Sequence, residues 1–102
     1  MSYFGEKNES IYFKIDDDTY EQMLAIVGKR GLSDFIRRAI EEQLQKIDGQ
    51  IIMEKSILER GIGVKMTEEM KKDIENILPN KRLTSRFVRW CVNQMIKKEL
   101  NK

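Results

Sequence analysis

The chain has 102 residues, of which 40% are apolar, and a formal net charge of +2. It has no histidine and only one cysteine, Cys91, so it lacks the residues for an intrachain disulfide, a thiolate zinc site or a histidine-dependent catalytic group. No apolar run approaches the roughly 20 residues that span a bilayer. We therefore expect a cytoplasmic binding protein with no enzymatic activity, no metal or other cofactor and no membrane partner.

The first predicted element is a strand, because apolar and polar residues alternate strictly over residues 11–15. Three consecutive aspartates follow at residues 16–18, and they suit the N-cap and first turn of a helix. That helix is expected to end at Gly28 or Gly31. A metal site at the aspartates is the less favoured alternative, because no further acidic residues follow at calcium-loop spacing.

A second helix is predicted from near Ser33 to near Asp48, where apolar residues recur at helical spacing. Residues 1–9, ahead of the first strand, are expected to form a flexible arm. Residues 49–60, after the second helix, are expected to form a connector. The unit between them, residues 10–48, therefore has the order strand, helix, helix.

The same order recurs in a second unit, residues 61–102. An offset of 51 residues (62 − 11) superposes the alternating pattern of residues 11–15 on residues 62–66. After one inserted residue, an offset of 52 (85 − 33) superposes residues 33–37 on residues 85–89. An internal repeat of this length indicates that the same small structural unit occurs twice.

One such unit cannot be stable alone, because a lone strand has two unpaired backbone edges and an uncovered apolar face. We therefore expect a mainly α-helical fold in which the two strands pair as a short antiparallel β-ribbon over four helices. In this arrangement the tandem units form an intramolecular pseudo-dimer.

The chain resembles the ribbon-helix-helix family, the fold of the Arc and methionine repressors, over residues 10–100. The resemblance rests on IYFKI at residues 11–15, on GLSDFIR at residues 31–37, and on their second copies. The tandem form is also similar to some plasmid and archaeal-virus regulators, which implies the host cytoplasm if the protein is viral. The family implies a sequence-specific transcriptional regulator, a repressor or an activator, that binds double-stranded DNA, with self-association of pseudo-dimers on the DNA.

In that family the ribbon enters the major groove, and its outward side chains read base edges. By position, the implied base-reading residues are Ser10, Tyr12, Lys14, Gly63 and Lys65. A glycine offers no side chain for reading. Gly61 and Gly63 therefore either let the backbone approach the DNA closely or serve only as a flexible start of the second strand.

The resemblance also implies phosphate contacts at the N-terminus of each second helix, where backbone N–H groups are free and the helix dipole is positive. The implied residues are Lys29, Arg30, Ser33, Arg60, Lys81, Arg82, Thr84, Ser85 and Arg86. For Ser33 and Thr84, helix capping is the alternative interpretation. Arg37 and Arg89, which occupy equivalent positions, are interpreted as surface salt-bridge partners.

The two units differ in charge. Residues 11–48 have 6 Lys/Arg and 8 Asp/Glu (−2), whereas residues 60–102 have 11 Lys/Arg and 5 Asp/Glu (+6). We therefore expect the second unit to meet a polyanion more strongly than the first.

Two other functions stay open at this point. An antitoxin would join the DNA-binding unit to a toxin-binding segment, for which the apolar connector around residues 51–58 is the candidate. A helical protein-interaction module would use the same fold without DNA. Salt dependence separates the interaction module from a DNA-binding protein, because release of counterions makes DNA affinity fall steeply with salt.

Overall fold

The computed structural model describes residues 9–45, 60–78 and 80–101. The helices and strands, in chain order, are β1 (Glu9–Ile15), α1 (Asp17–Val27), α2 (Leu32–Gln45), β2 (Arg60–Met66), α3 (Glu68–Ile77) and α4 (Thr84–Leu100). Short 3₁₀ turns at Lys29–Gly31 and Lys81–Leu83 lead into α2 and α4. The described residues are therefore mainly helical with one two-stranded antiparallel sheet, which confirms that part of the prediction.

Both strands begin one residue earlier than expected, and two segments fall outside the described residues. Glu9, assigned to the arm, and Arg60, assigned to the connector, are the first residues of β1 and β2. The rest of the arm and of the connector lie outside the described residues, including the candidate toxin-binding segment at residues 51–58.

Strands β1 and β2 come from opposite halves of the chain and pair along their whole length, with Tyr12 opposite Gly63 at the centre. Side chains alternate between the two faces of a strand, and one face of this ribbon is buried. The residues buried on that face are Ile11, Phe13, Ile15, Val64 and Met66. The alternation in the sequence therefore marks the face that the helices cover.

Helices α2 and α4 supply most of the core above the ribbon. They pack against each other, and α4 also packs on β1 whereas α2 packs on β2. Their buried apolar residues are Leu32, Phe35, Ile36, Ala39, Ile40 and Leu44 in α2, and Phe87, Val88, Cys91, Val92, Met95 and Ile96 in α4. Each of these helices thus covers the strand from the other half of the chain, and the two halves share one core.

The first helix of each unit begins with a side-chain cap at an equivalent position. Asp16 accepts a hydrogen bond from the backbone N–H of Thr19 (3.2 Å), and Thr67 accepts one from Met70 (3.2 Å). Such caps satisfy backbone donors that the first turn of a helix leaves free. Helix α1 ends at Gly28, whose φ of +73° is a conformation that favours glycine.

Asp16 also links the two halves of the chain. Its Oδ1 atom accepts hydrogen bonds from Arg89 Nε in α4 (2.6 Å) and from the Thr19 hydroxyl (2.8 Å). Arg89 therefore forms the predicted salt bridge, but the pair lies largely out of solvent and not at the surface, because the Asp16 and Arg89 side chains are only 19% and 18% exposed. Partial burial raises the pKa of Asp16, but the bonds from Arg89 and Thr19 outweigh it and hold the pKa below its ordinary value.

The opposite faces of β1 predict unequal effects of substitution on stability. Phe13 is 1% exposed, so we expect Phe13→Ala to lower the free energy of unfolding by about 3–5 kcal/mol. The neighbouring Tyr12 is 68% exposed, so Tyr12→Ala should change it by less than about 1 kcal/mol. Urea unfolding followed by circular dichroism measures both values. Equal losses in the two variants would contradict this assignment of the faces.

The Asp16–Arg89 pair predicts a pH-dependent contribution to stability. Asp16→Asn keeps a capping side chain but removes the charge. At pH 7 we therefore expect the substitution to lower the free energy of unfolding by about 1–3 kcal/mol. Because the folded pKa is lowered, the stabilisation is complete above the unfolded value of about 3.9 and disappears as the pH falls through the folded pKa.

The difference in free energy of unfolding between wild type and Asp16→Asn should therefore shrink as the pH falls below about 4. Urea unfolding over a series of pH values measures it. Asp17→Asn is the matched control, because Asp17 forms an exposed pair with Arg60 that is worth about 1 kcal/mol or less. A difference for Asp16→Asn that is the same at acid and neutral pH would count against the charge pair.

Candidate nucleic-acid interface

The face of the ribbon opposite the core is exposed and carries every residue that the sequence assigned to base reading. Its residues, in opposed pairs across the two strands, are Ser10 and Lys65, Tyr12 and Gly63, and Lys14 and Gly61. A two-stranded ribbon fits the major groove of B-form DNA, which is about 12 Å wide. The side chains on this face supply hydroxyl and ammonium groups that can bond to base edges.

Tyr12 lies across the ribbon over Gly61. A Cβ atom at position 61 would overlap the Tyr12 hydroxyl and lie 2.6 Å from Cζ of the ring. A Cβ atom at position 63 would have nothing within 4 Å. Both glycines lie within the paired part of β2, so they are not a flexible segment ahead of the strand.

A cavity of about 450 Å³ opens beside the ribbon, between β1, α3 and the N-terminus of α4. Its lining residues are Ser10, Ile11, Tyr12, Lys71, Ile74, Glu75, Arg82, Thr84 and Ser85. The cavity brings two predicted base-reading residues together with three predicted phosphate-binding residues. Lys71, Arg82 and Glu75 give the lining two positive charges and one negative charge, so an anionic group is favoured there.

The N-terminus of α4 is held against β1 by a hydrogen bond. The backbone N–H of Lys14 in β1 donates to Oγ of Ser85 (3.1 Å). This bond joins the start of α4 to the strand that carries Tyr12 on its exposed face.

The turn before α4 explains why Thr84 does not act as the cap. Asn80 accepts hydrogen bonds from the backbone N–H groups of Arg82 (2.9 Å, to Oδ1) and Leu83 (3.0 Å, to the carbonyl oxygen). Asparagine commonly forms such turns. The N-cap residue is consequently Leu83, with no side-chain cap, so the capping interpretation of Thr84 is wrong.

The first unit presents a less positive helix N-terminus. Asp34 stands in the first turn of α2 at the position equivalent to Arg86 in α4, and its carboxylate lies 3.4 Å from Arg38. Arg37 donates to the backbone carbonyl of Lys65 in β2 (3.1 Å), so it has a role beyond a surface salt bridge. The presence of Asp34 where α4 has Arg86 agrees with the charge difference between the two halves of the chain.

The remaining predicted phosphate-binding residues do not line the cavity. Lys29 and Arg30 are exposed in the turn before α2, and Ser33 is half-buried in the first turn of α2. Arg60 pairs with Asp17 (3.1 Å), and its guanidinium lies 4.3 Å from the centre of the Tyr20 ring, so groups of its own chain already hold it. The side chain of Lys81 lies outside the described part of the structure.

Lys71 is a positively charged residue of the cavity that the sequence did not assign to any site. It follows the buried Met70 and precedes the buried Ile74 on α3, so it borders the apolar side of the helix. That position was visible in the helical pattern. The cavity could not be predicted from that pattern, because the cavity forms only where α3 meets β1 and α4.

Within the described residues, no cluster of three acidic, histidine or cysteine side chains could hold a metal ion. Asp16 and Asp17, from the three consecutive aspartates, pair instead with Arg89 and Arg60. Among the same residues, no helix has the length and apolar character needed to cross a membrane.

Comparisons with protein-family models, with curated proteins and with solved structures find no match to this chain. We therefore infer a function from the ribbon, the cavity and their charges.

For a DNA duplex bound at the ribbon, the cavity predicts two sequence-independent contributions to affinity. We expect Arg82→Ala and Lys71→Ala each to weaken binding by a similar factor for every duplex, because phosphate contacts carry no base information. Each should also reduce the slope of log affinity against log salt by about 1. Fluorescence anisotropy titrations at several salt concentrations measure both quantities.

Lys72→Ala is the matched control for the cavity. Lys72 neighbours Lys71 on α3, pairs with Glu68 (3.2 Å) and does not line the cavity. If Lys72→Ala changes the salt slope as much as Lys71→Ala does, the cavity is not the phosphate site.

Proposed function

We propose that the protein is a sequence-specific transcriptional regulator that inserts the β1–β2 ribbon into the major groove of double-stranded DNA. The observation that carries the proposal is the placement of the exposed ribbon face beside the cavity at the N-terminus of α4. The ribbon supplies groups that can distinguish bases. The cavity supplies positive charge and a helix N-terminus, which together favour a phosphate.

Two observations support a tandem ribbon-helix-helix arrangement in which the units form a pseudo-dimer. Tyr12 and Gly63 are separated by the repeat offset of 51 residues and lie opposite each other in the ribbon. In a symmetric strand pair, the central residue faces its own equivalent. Helices α2 and α4 also each pack on the strand from the other half of the chain, α2 on β2 and α4 on β1.

The side chains of the ribbon fit the chemistry of the major groove. Lys14 and Lys65 are exposed, and a lysine ammonium can donate to O6 and N7 of guanine. Ser10 and Tyr12 add hydroxyl groups that donate and accept. Base contacts of this kind give specificity, whereas Lys71 and Arg82 would contribute affinity that depends on salt.

The first test is selection of binding sites from a random duplex library with wild type, Lys14→Ala and Lys65→Ala. We expect wild type to enrich a short motif, and each substitution to relax the preference at particular positions by about 1–3 kcal/mol. Lys97→Ala is the control, because Lys97 is exposed in the last turn of α4. If wild type enriches no motif and binds only weakly in a salt-sensitive manner, the regulator proposal fails.

A further inference from the structure

We infer that the DNA site of this protein is asymmetric and that Tyr12 is the residue that makes it so. The inference rests on the proposed function, and it concerns which sequence the ribbon reads. It follows from the contents of the exposed ribbon face and from the position of the Tyr12 ring.

The two strands contribute unequally to the exposed face. Strand β1 presents three side chains, those of Ser10, Tyr12 and Lys14, whereas β2 presents one, that of Lys65. Positions 61 and 63 of β2 are glycines. A ribbon of two identical strands presents the same groups twice and reads a palindrome, which this ribbon cannot do.

The difference is greatest at the centre of the ribbon, where the aromatic side chain of Tyr12 faces Gly63. The ring does not extend freely into solvent, because its distal end lies over Gly61 of the opposite strand. It is nevertheless 68% exposed, so most of its surface remains available to a ligand. Tyr12 therefore occupies the part of the surface that side chains of β2 would otherwise fill.

Gly61 provides the space that this arrangement needs. Neither Gly61 nor Gly63 has a positive φ, so the backbone does not require glycine at either position. At Gly61, even the first carbon of a side chain would collide with the Tyr12 ring, whereas Gly63 has open space. A substitution by alanine therefore displaces the Tyr12 ring at position 61 and leaves it in place at position 63.

The test uses Gly61→Ala, Gly63→Ala and Tyr12→Ala in the full chain. The added methyl group of Gly61→Ala meets the far end of an exposed side chain, so the ring can move away and the fold should persist. Urea unfolding of each variant confirms that it is folded. Site selection from a random duplex library then gives the preferred sequence, and anisotropy gives the affinities for it and for a version made palindromic.

We expect wild type to select a site without dyad symmetry and to bind the palindromic version at least about tenfold more weakly. Tyr12→Ala and Gly61→Ala should each lose about tenfold in affinity for the selected site and most of the discrimination against its palindromic version. Gly63→Ala should keep the wild-type preference and stay within about threefold of its affinity.

Two results would overturn the inference and leave DNA binding intact. One is a selected site with perfect dyad symmetry. The other is an equal effect of Gly61→Ala and Gly63→Ala on the preferred sequence. If wild type selects no site at all, the proposed function itself fails, and the inference fails with it.

Discussion

Backbone pairing between β1 and β2 is the interaction on which the rest of this structure depends. A two-stranded sheet is marginally stable in water until its apolar face is covered. Here the two strands come from opposite halves of the chain, and α2 and α4 cover the face that carries Phe13 and Val64. Because each of these helices packs on the strand of the other half, neither half has a core of its own.

The same register decides both what is buried and what is displayed. Successive side chains point to opposite faces, so burial of Phe13 places its neighbours Tyr12 and Lys14 on the outer face. A slip of one residue would exchange the two sets, and the loss of the core would oppose it strongly. Hydrogen bonds from the Lys14 N–H to Ser85, and from Arg37 to the Lys65 carbonyl, attach helices to the edges of the ribbon.

Sequence patterns predicted the structural features that depend on residues close together along the chain. Alternation over residues 11–15 revealed the strand and its buried face, and Asp16 marked the start of α1 as its cap. Other features needed contacts between distant residues. The Asp16–Arg89 bond, the cavity beside Lys71 and the position of Tyr12 over Gly61 all arise from the packing of one half of the chain on the other.

Because β1 and β2 belong to one polypeptide, no dissociation equilibrium separates the strands of the ribbon. An obligate homodimer loses its fold on dilution, whereas the stability of this ribbon is independent of protein concentration. A few copies in a cell would therefore stay folded. The single chain also frees each strand to change alone during evolution, since a mutation alters one strand here but both strands of a homodimer. A homodimer, whose two strands are identical, could not place Tyr12 opposite a glycine as this ribbon does.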